Sequence, residues 1–245
     1  YLKTLRTFQD LQRPLLGKYK AVRKEKNIQL EKHLAISFYP VYGYGYGRSH
    51  AYRQATTQGS IFKIVTAYAG VIHQYLKNPL GSLNPLTIID TWQRQGSQIF
   101  VGFTEDHKPI PQMYKGGRIP KSLNKSIGLT DIIKASAYSS NPYFSLIAGD
   151  ILGYHEELAE AARLFSYGSP TGIDLPGEIG GHIPSDLSTN RTGLYAMAIG
   201  QHTLVVTPLQ AAVMLCAIAN GGKVVQPKLV YMSAGKDRSE EHTSE

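Results

Sequence analysis

From Gln54 to Leu76 the chain carries one formally charged side chain, Lys63. Around it, apolar residues at Ile61, Ile64, Val65, Tyr68, Ile72, Tyr75 and Leu76 recur with a period near 3.6, which predicts a helix from Ser60 to about Lys77. The other side carries Phe62, Thr66, Ala69 and Gly70, so no face is built for water and the helix is expected to be buried. Upstream, Leu34–Tyr39 has strand character and ends at Pro40. Downstream, Asn78-Pro79 and Asn84-Pro85 are turn signals, and Leu86–Asp90 reads as a short strand. The stretch 96–125 is rich in Gly, Pro and Lys and predicts a long surface excursion. Thr130 or Asp131 caps a helix running to Tyr138. Ser139-Ser140-Asn141 forms a turn, and Pro142 opens the next helix, with Asn141 as its simplest cap. Glu156–Phe165 predicts a surface helix, 168–184 a loop, and Thr207-Pro208 the start of a helix closed by Gly221-Gly222. Lys223–Val225 and Leu229–Met232 read as strands.

A lysine in so apolar a helix is a chemical signal. Desolvation lowers an ammonium pKa by up to roughly 3–5 units, and the helix N-terminus disfavours a cation by about 0.3–1 kcal/mol. Both push Lys63 toward a neutral amine, which can act as a base. Ser60, three residues earlier, lies on the same side of the first turn. A hydroxyl beside a neutral amine is an activated nucleophile, and the free N–H groups of a first helical turn can hold an oxyanion. The same spacing also fits a plain serine cap followed by a lysine that snorkels to water.

Composition narrows the field. A hydrophobic content of 42% in 245 residues suits one large domain or two small ones. The longest apolar run, Ala211–Ala219, falls short of the ~20 residues a spanning helix needs. Much of the +8 net charge sits in residues 1–33, where nine Lys or Arg face three acids. That segment reads as a basic linker or the tail of an upstream module, and no nucleic-acid motif accompanies it. The single cysteine, Cys216, excludes an intramolecular disulfide and reads as a small core residue. The eight histidines show no metal-ligand spacing, and the Gly43/Gly45/Gly47 run lacks a phosphate-loop lysine.

Five segments together carry a resemblance. Gly59-Ser60-Ile61-Phe62-Lys63 resembles the Gly-Ser-x-x-Lys nucleophile motif of penicillin-binding proteins and serine β-lactamases. Ser139-Ser140-Asn141, 79 residues on, resembles their Ser-x-Asn motif. Thr171–Glu178 (Thr-Gly-Ile-Asp-Leu-Pro-Gly-Glu), Ile199-Gly200-Gln201 followed by Thr207-Pro208-Leu209-Gln210, and Ala219-Asn220-Gly221-Gly222 resemble segments of the high-molecular-weight penicillin-binding proteins, in the family's order. On these residues the chain is identified as a class B penicillin-binding protein transpeptidase domain. Gln58 stands where the family usually has proline, and His202 where a glycine often follows Gly-Gln. Neither Lys-Thr-Gly nor Lys-Ser-Gly, the third motif, occurs in the sequence. Arg238–Glu245 looks like translated sequencing adapter, so residues 34–237 are expected to be a partial transpeptidase domain with a non-native tail at 238–245.

The resemblance implies an α+β, β-lactamase/transpeptidase-like fold. That fold has a five-stranded antiparallel sheet flanked by helices, an all-helical subdomain between Ser60 and Ser139, and last strands that this chain does not reach. It implies a peptidoglycan D,D-transpeptidase that cross-links stem peptides through a serine acyl-enzyme and is inhibited by β-lactams, with no metal or organic cofactor. Ser60 would be the nucleophile, Lys63 its base and Ser139 a proton relay, with Asn141 binding the acyl-side amide. The family setting is a catalytic domain outside the bacterial inner membrane, anchored upstream and partnered by a membrane-embedded glycan polymerase. A serine β-lactamase, and a β-lactam sensor or degenerate homologue, are the other functions these motifs serve. Without the third motif the fragment itself is expected to be nearly inactive and aggregation-prone.

Overall fold

The computed structural model describes residues 49–230, together with the backbone of 232–234 and 241–243. The basic segment, the strand expected at Leu34–Tyr39 and the Tyr/Gly loop lie outside the described residues. A 3-10 turn at Gly59–Phe62 leads straight into helix α1 (Lys63–Lys77). Lys63, Val65, Thr66, Ala69 and Gly70 are buried on the inner side of α1, with Phe62 just before it. Ile61, Ile72, Tyr75 and Leu76 are exposed, Leu76 at 72%. The helix is therefore rotated so that Val65 and the small residues face inward, with Ile64 and Tyr68 at the edge of the core, because the small residues permit close approach. A Cβ on Gly70 would come within 2.9 Å of the Ile147 side chain, so residue size decides this packing more than hydropathy does.

Between Ser60 and Ser139, where an all-helical region and a surface excursion were expected, the chain builds strands β1 (Ile88–Thr91), β2 (Gln93–Gln95), β3 (Gln98–Thr104), β4 (Pro109–Pro111), β5 (Met113–Tyr114), β6 (Gly117–Arg118) and β7 (Ser126–Thr130). Five of them form one antiparallel sheet in the order β2-β3-β1-β7, with β4 on the free side of β3. The turn residues that suggested a loop are hairpin connections. The two prolines of β4 are tolerated because it pairs only with β3. The register of β1 against β7 slips between Asp90 and Thr91, opposite Gly128 at φ +83°. Such bulges re-aim a side chain. Ile88 and Asp90 are the buried residues of β1.

Helices α2 (Ile132–Tyr138) and α3 (Asn141–Leu146) follow, and α3 runs on into a π turn at Ile147–Ile151. Helix α4 (Glu156–Leu164) buries Leu158, Ala159, Ala161 and Ala162, and so is amphipathic rather than simply superficial. Helices α5 (Arg191–Met197) and α6 (Pro208–Ala219) complete the described helical part. One core joins sheet residues Ile88, Val101 and Ile110 to Phe62, Val65, Phe144, Ile147, Leu158 and Met214. Thr207 caps α6 in a capping box. Its hydroxyl accepts from Gln210 N at 3.1 Å, and Gln210 Oε1 accepts from Thr207 N at 2.9 Å. Helix α6 buries only Val213, Met214, Ala217 and Gln210, so Leu215, Ile218 and Cys216 face outward and Cys216 is not a core residue.

Lys223–Val225 forms no strand. The strand expected at Leu229–Met232 is absent at Leu229 and Val230; β8 (Met232–Ala234) begins at its last residue and pairs with β9 (Glu241–Thr243) within the tail set aside above. The α+β class stands, with its five-stranded sheet lying ahead of Ser139.

Candidate active site

Lys63 is the first residue of α1 and is 4% exposed. Its Nζ donates to the Ser139 carbonyl oxygen at 2.8 Å, to Ser139 Oγ at 2.7 Å and to Asn141 Oδ1 at 2.6 Å. An ammonium has three donors, and all three are used. The Phe144 ring centroid lies 5.7 Å from the same nitrogen. Burial pulls the Lys63 pKa down from 10.5 to about 8, against the opposing pull of the Asp90 charge.

The turn that meets Lys63 is set by how α2 ends. Ser139 is left-handed at φ 56°, ψ 49°. Ser140 N donates to Ala135 O and Ser139 N to Ser136 O, the paired bonds of a Schellman ending. Glycine usually takes that position, and a serine there costs about 1–2 kcal/mol. Backbone strain of this kind collects at active sites. Here it lets one residue offer both its carbonyl and its hydroxyl to Lys63. The cap of α3 is Ser140 rather than Asn141, since its Oγ accepts from Tyr143 N at 3.2 Å. The Asn141 amide is thereby free for other use. Its Oδ1 accepts the hydrogen bond from Lys63 Nζ, its Nδ2 donates to Lys121 O at 2.9 Å, and its backbone N donates to Ser122 Oγ at 3.2 Å. Lys121 is itself fixed with its ammonium 3.9 Å above the Trp92 ring.

Ser60 lies in the 3-10 turn, exposed, and its carbonyl accepts from the Lys63 N–H. Its hydroxyl makes no hydrogen bond among the described residues. The structure thus joins Lys63, Ser139 and Asn141 directly and places Ser60 one turn away at the open end.

The remaining family segments hold this arrangement in place. Gly59 N donates to Gly200 O at 2.8 Å, and Thr66 Oγ1 to Ala198 O at 2.8 Å. Gly200 has φ +74°, and a Cβ there would overlap the Gly59 carbonyl oxygen. Gln58, in place of proline, donates to the Tyr167 hydroxyl, whose ring stacks on Phe62. His202 sits at φ 65°, a conformation suited to glycine, and is held by Asp186 Oδ1 at 2.8 Å. In the 171–178 segment, Glu178 accepts from Thr171 N, Thr171 Oγ1 and Gly172 N. Asp174 accepts from Leu229 N and Val230 N, tying the outgoing chain to this loop.

Three residues behind the turn were not foreseen from sequence: Asp90, Ser122 and Ser140. Asp90 carried the one available signal, an acid at an inward position of a strand that alternates from Ile88. Among the described residues no group of three or more His, Cys, Asp or Glu side chains is placed to hold a metal ion.

The penicillin binding protein transpeptidase domain family matches residues 23–244. The chain belongs to that family. The peptidoglycan D,D-transpeptidase MrdA of Salmonella typhimurium is 32% identical over 111 residues, which is 42% of this chain and 18% of the relative. MrdA of Acinetobacter baumannii is 30% identical over 116 residues, 44% of this chain and 17% of the relative. The matches therefore span less than a fifth of those curated proteins. Among solved structures, a peptidoglycan synthase complex that coordinates polymerization and crosslinking aligns over 75% of this chain and 28% of its own, at 26% identity and TM-score 0.55. Penicillin-binding protein 3 of Mycobacterium tuberculosis aligns over 82% of this chain and 39% of its own, at 22% identity and TM-score 0.59. The Helicobacter pylori PBP2 solved in complex with MreC aligns over 93% of this chain and 36% of its own, at 20% identity and TM-score 0.56. The last two show a shared transpeptidase fold.

Proposed function

We propose that the full-length protein is a peptidoglycan D,D-transpeptidase with Ser60 as nucleophile, Lys63 as base, Ser139 as proton relay and Asn141 as substrate-binding residue. The observation that carries this is the Lys63 amine bonded at once to Ser139 Oγ and Asn141 Oδ1, which lie 76 and 78 residues from it in sequence yet meet at its one nitrogen. When Lys63 loses a proton it keeps two N–H donors and gains a lone pair, so one of its three contacts is released and the lone pair is available to Ser60. Ser60 Oγ then attacks the penultimate carbonyl carbon of a D-alanyl-D-alanine stem as its proton passes to Lys63. The Ser60 N–H holds the oxyanion. Collapse breaks the C–N bond, and Ser139 Oγ hands a proton to the departing D-alanine amine while Lys63 re-supplies it. An amine from a neighbouring stem attacks the acyl-enzyme by the reverse path, forming the cross-link. β-Lactams enter the first half of this cycle and stop at the acyl-enzyme.

Residues 34–237 are then a partial transpeptidase domain. The second oxyanion donor and the third-motif lysine come from outside this sequence, and loss of one such donor costs about 10²–10³ in rate, so the 245-residue chain alone is nearly inactive. The family match and the relatives named MrdA support an inner-membrane protein with its catalytic domain on the extracytoplasmic side. No helix among the described residues is long and apolar enough to cross a membrane. The synthase complex among the structural neighbours supports a membrane-embedded glycan polymerase as partner. The test is labelling of the full-length gene product by a fluorescent penicillin. Stoichiometric labelling that Ser60→Ala abolishes is expected, whereas labelling that survives Ser60→Ala contradicts the assignment.

A further inference from the structure

Behind the Ser139–Asn141 turn lies a carboxylate that the mechanism above does not use. Asp90 is fully buried on β1, on the same face as Ile88, at the bulge against β7. Its Oδ2 accepts from Ser122 Oγ at 2.7 Å and from Ser140 Oγ at 2.5 Å. Each hydroxyl goes on to the turn. Ser140 Oγ accepts from Tyr143 N and so caps α3, while Ser122 Oγ accepts from Asn141 N. The other carboxylate oxygen, Oδ1, is buried and has no hydrogen-bond partner among the described residues. A buried acid with one oxygen unpaired destabilises a fold unless a nearby charge offsets it. Burial pushes the Asp90 pKa up, while the Ser140 and Ser122 hydroxyls and the Lys63 charge hold it back; Asp90 is in turn the charge that opposes the effect of burial on Lys63. On the packed elements, β3, β7 and α3 carry no charged residue. The one charge of α2, Lys134, donates to Leu129 O, and Lys121 is turned onto Trp92.

We propose that Asp90 is a positioning residue of the acylation site. It locks the Ser139-Ser140-Asn141 turn from behind through two serine hydroxyls and sets a buried carboxylate on the far side of the turn that grips the Lys63 amine. The inference rests on the transpeptidase reading for its consequence in catalysis, though not for its electrostatics. Two buried groups of opposite charge, not in direct contact, thereby stand on either side of the motif. The cation lies on the nucleophile helix, the anion on the inserted sheet, and the Ser-x-Asn turn is held between them. The carboxylate comes from a strand far from the motif in sequence, and Ser140, the middle residue of Ser-x-Asn, is what links the two.

Asp90→Asn separates charge from shape. Its carbonyl oxygen can accept both serine hydroxyls where Oδ2 now does, and its NH2 replaces the unpaired oxygen. In the full-length protein, β-lactam acylation is followed from pH 5.5 to 9.5, and the Lys63 ε-carbon is titrated by NMR in parallel. Removing the anion favours the neutral amine, so the inflection of both curves moves about one pH unit toward acid, and acylation at pH 6.5 rises about eightfold. Ser122→Ala weakens the carboxylate's stabilisation and gives a smaller shift in the same direction. It decides the matter alone if Asp90→Asn does not fold. An unshifted Lys63 titration in the folded variants overturns the proposal. If the NMR shift occurs in a protein that no β-lactam acylates, Asp90 keeps its role and the transpeptidase reading fails instead.

Discussion

At the scale of single residues, the site turns on the protonation of Lys63. With its pKa near 8, Lys63 is largely protonated at neutral pH and fills all three of its contacts as a donor. A base must be neutral to accept the Ser60 proton. The acylation rate is therefore expected to climb about tenfold per pH unit below 8 and to level above it. A stopped-flow pH series checks this, and a profile flat from pH 6 to 9 contradicts Lys63 as the base. Ser139 offers an independent handle, since a left-handed serine carries a cost glycine does not. Ser139→Gly and Ser139→Ala both lose the hydroxyl contact to Lys63 and both should abolish turnover. The glycine variant should nonetheless be more stable than the alanine variant by about 1 kcal/mol, read by urea denaturation. The burial of Lys63 was legible in sequence because a lone charge in an apolar helix is conspicuous. The role of Ser140 was not, because a serine before Asn-Pro looks like any turn residue until its carboxylate partner arrives from β1.

At the scale of elements, the nucleophile turn is fixed by backbone contact with the 198–200 segment. Two left-handed glycines face each other there, and a Cβ has different consequences at each. At Gly59 an added Cβ meets nothing within 4 Å, so Gly59→Ala costs only the conformational term, about 1 kcal/mol. At Gly200 it collides with the Gly59 carbonyl. Gly200→Ala must displace the turn that carries Ser60, and we expect a loss of about 2–3 kcal/mol and at least ~10²-fold in acylation. Denaturation and β-lactam labelling of the two variants side by side check the contrast. Secondary structure was legible where period or cap chemistry was strong, as in α1, α2 and the Thr207-Pro208 start of α6. The short strand read at Leu86–Asp90 is met by β1, but from 93 to 130 the strands were not legible. There the strands are short and their turn residues mimic a loop, and β4 carries two prolines that only an edge position tolerates. Which side of α1 faces inward was also misleading, since small residues rather than the largest apolar ones make the close contact with Ile147.

At the scale of the whole molecule, one core ties sheet and helices together, yet large apolar side chains stand exposed: Ile61 on the turn that carries Ser60, Leu215 and Ile218 on α6, and Val224, Val225, Leu229 and Val230 beyond it. Exposed apolar area on this scale favours association. The 245-residue chain by itself should bind an apolar dye and scatter light in proportion to concentration, and the full-length product should do neither. Equal dye binding by both would contradict this. The family was legible from five ordered segments, and the structure adds how they are placed: a 3-10 turn carrying Ser60, a turn that grips the Lys63 amine, a loop tied to residues 229–230, a backbone support for Gly59 and a helix opened by a capping box. The most direct test of the account is to map the acyl adduct. After the full-length protein reacts with a β-lactam and is digested with trypsin, the peptide from Gln54 to Lys63, which contains Ser60 as its only serine, should carry the entire mass increment. An increment on the peptide beginning at Ala135, or on neither, would contradict Ser60 as the residue that Lys63 activates.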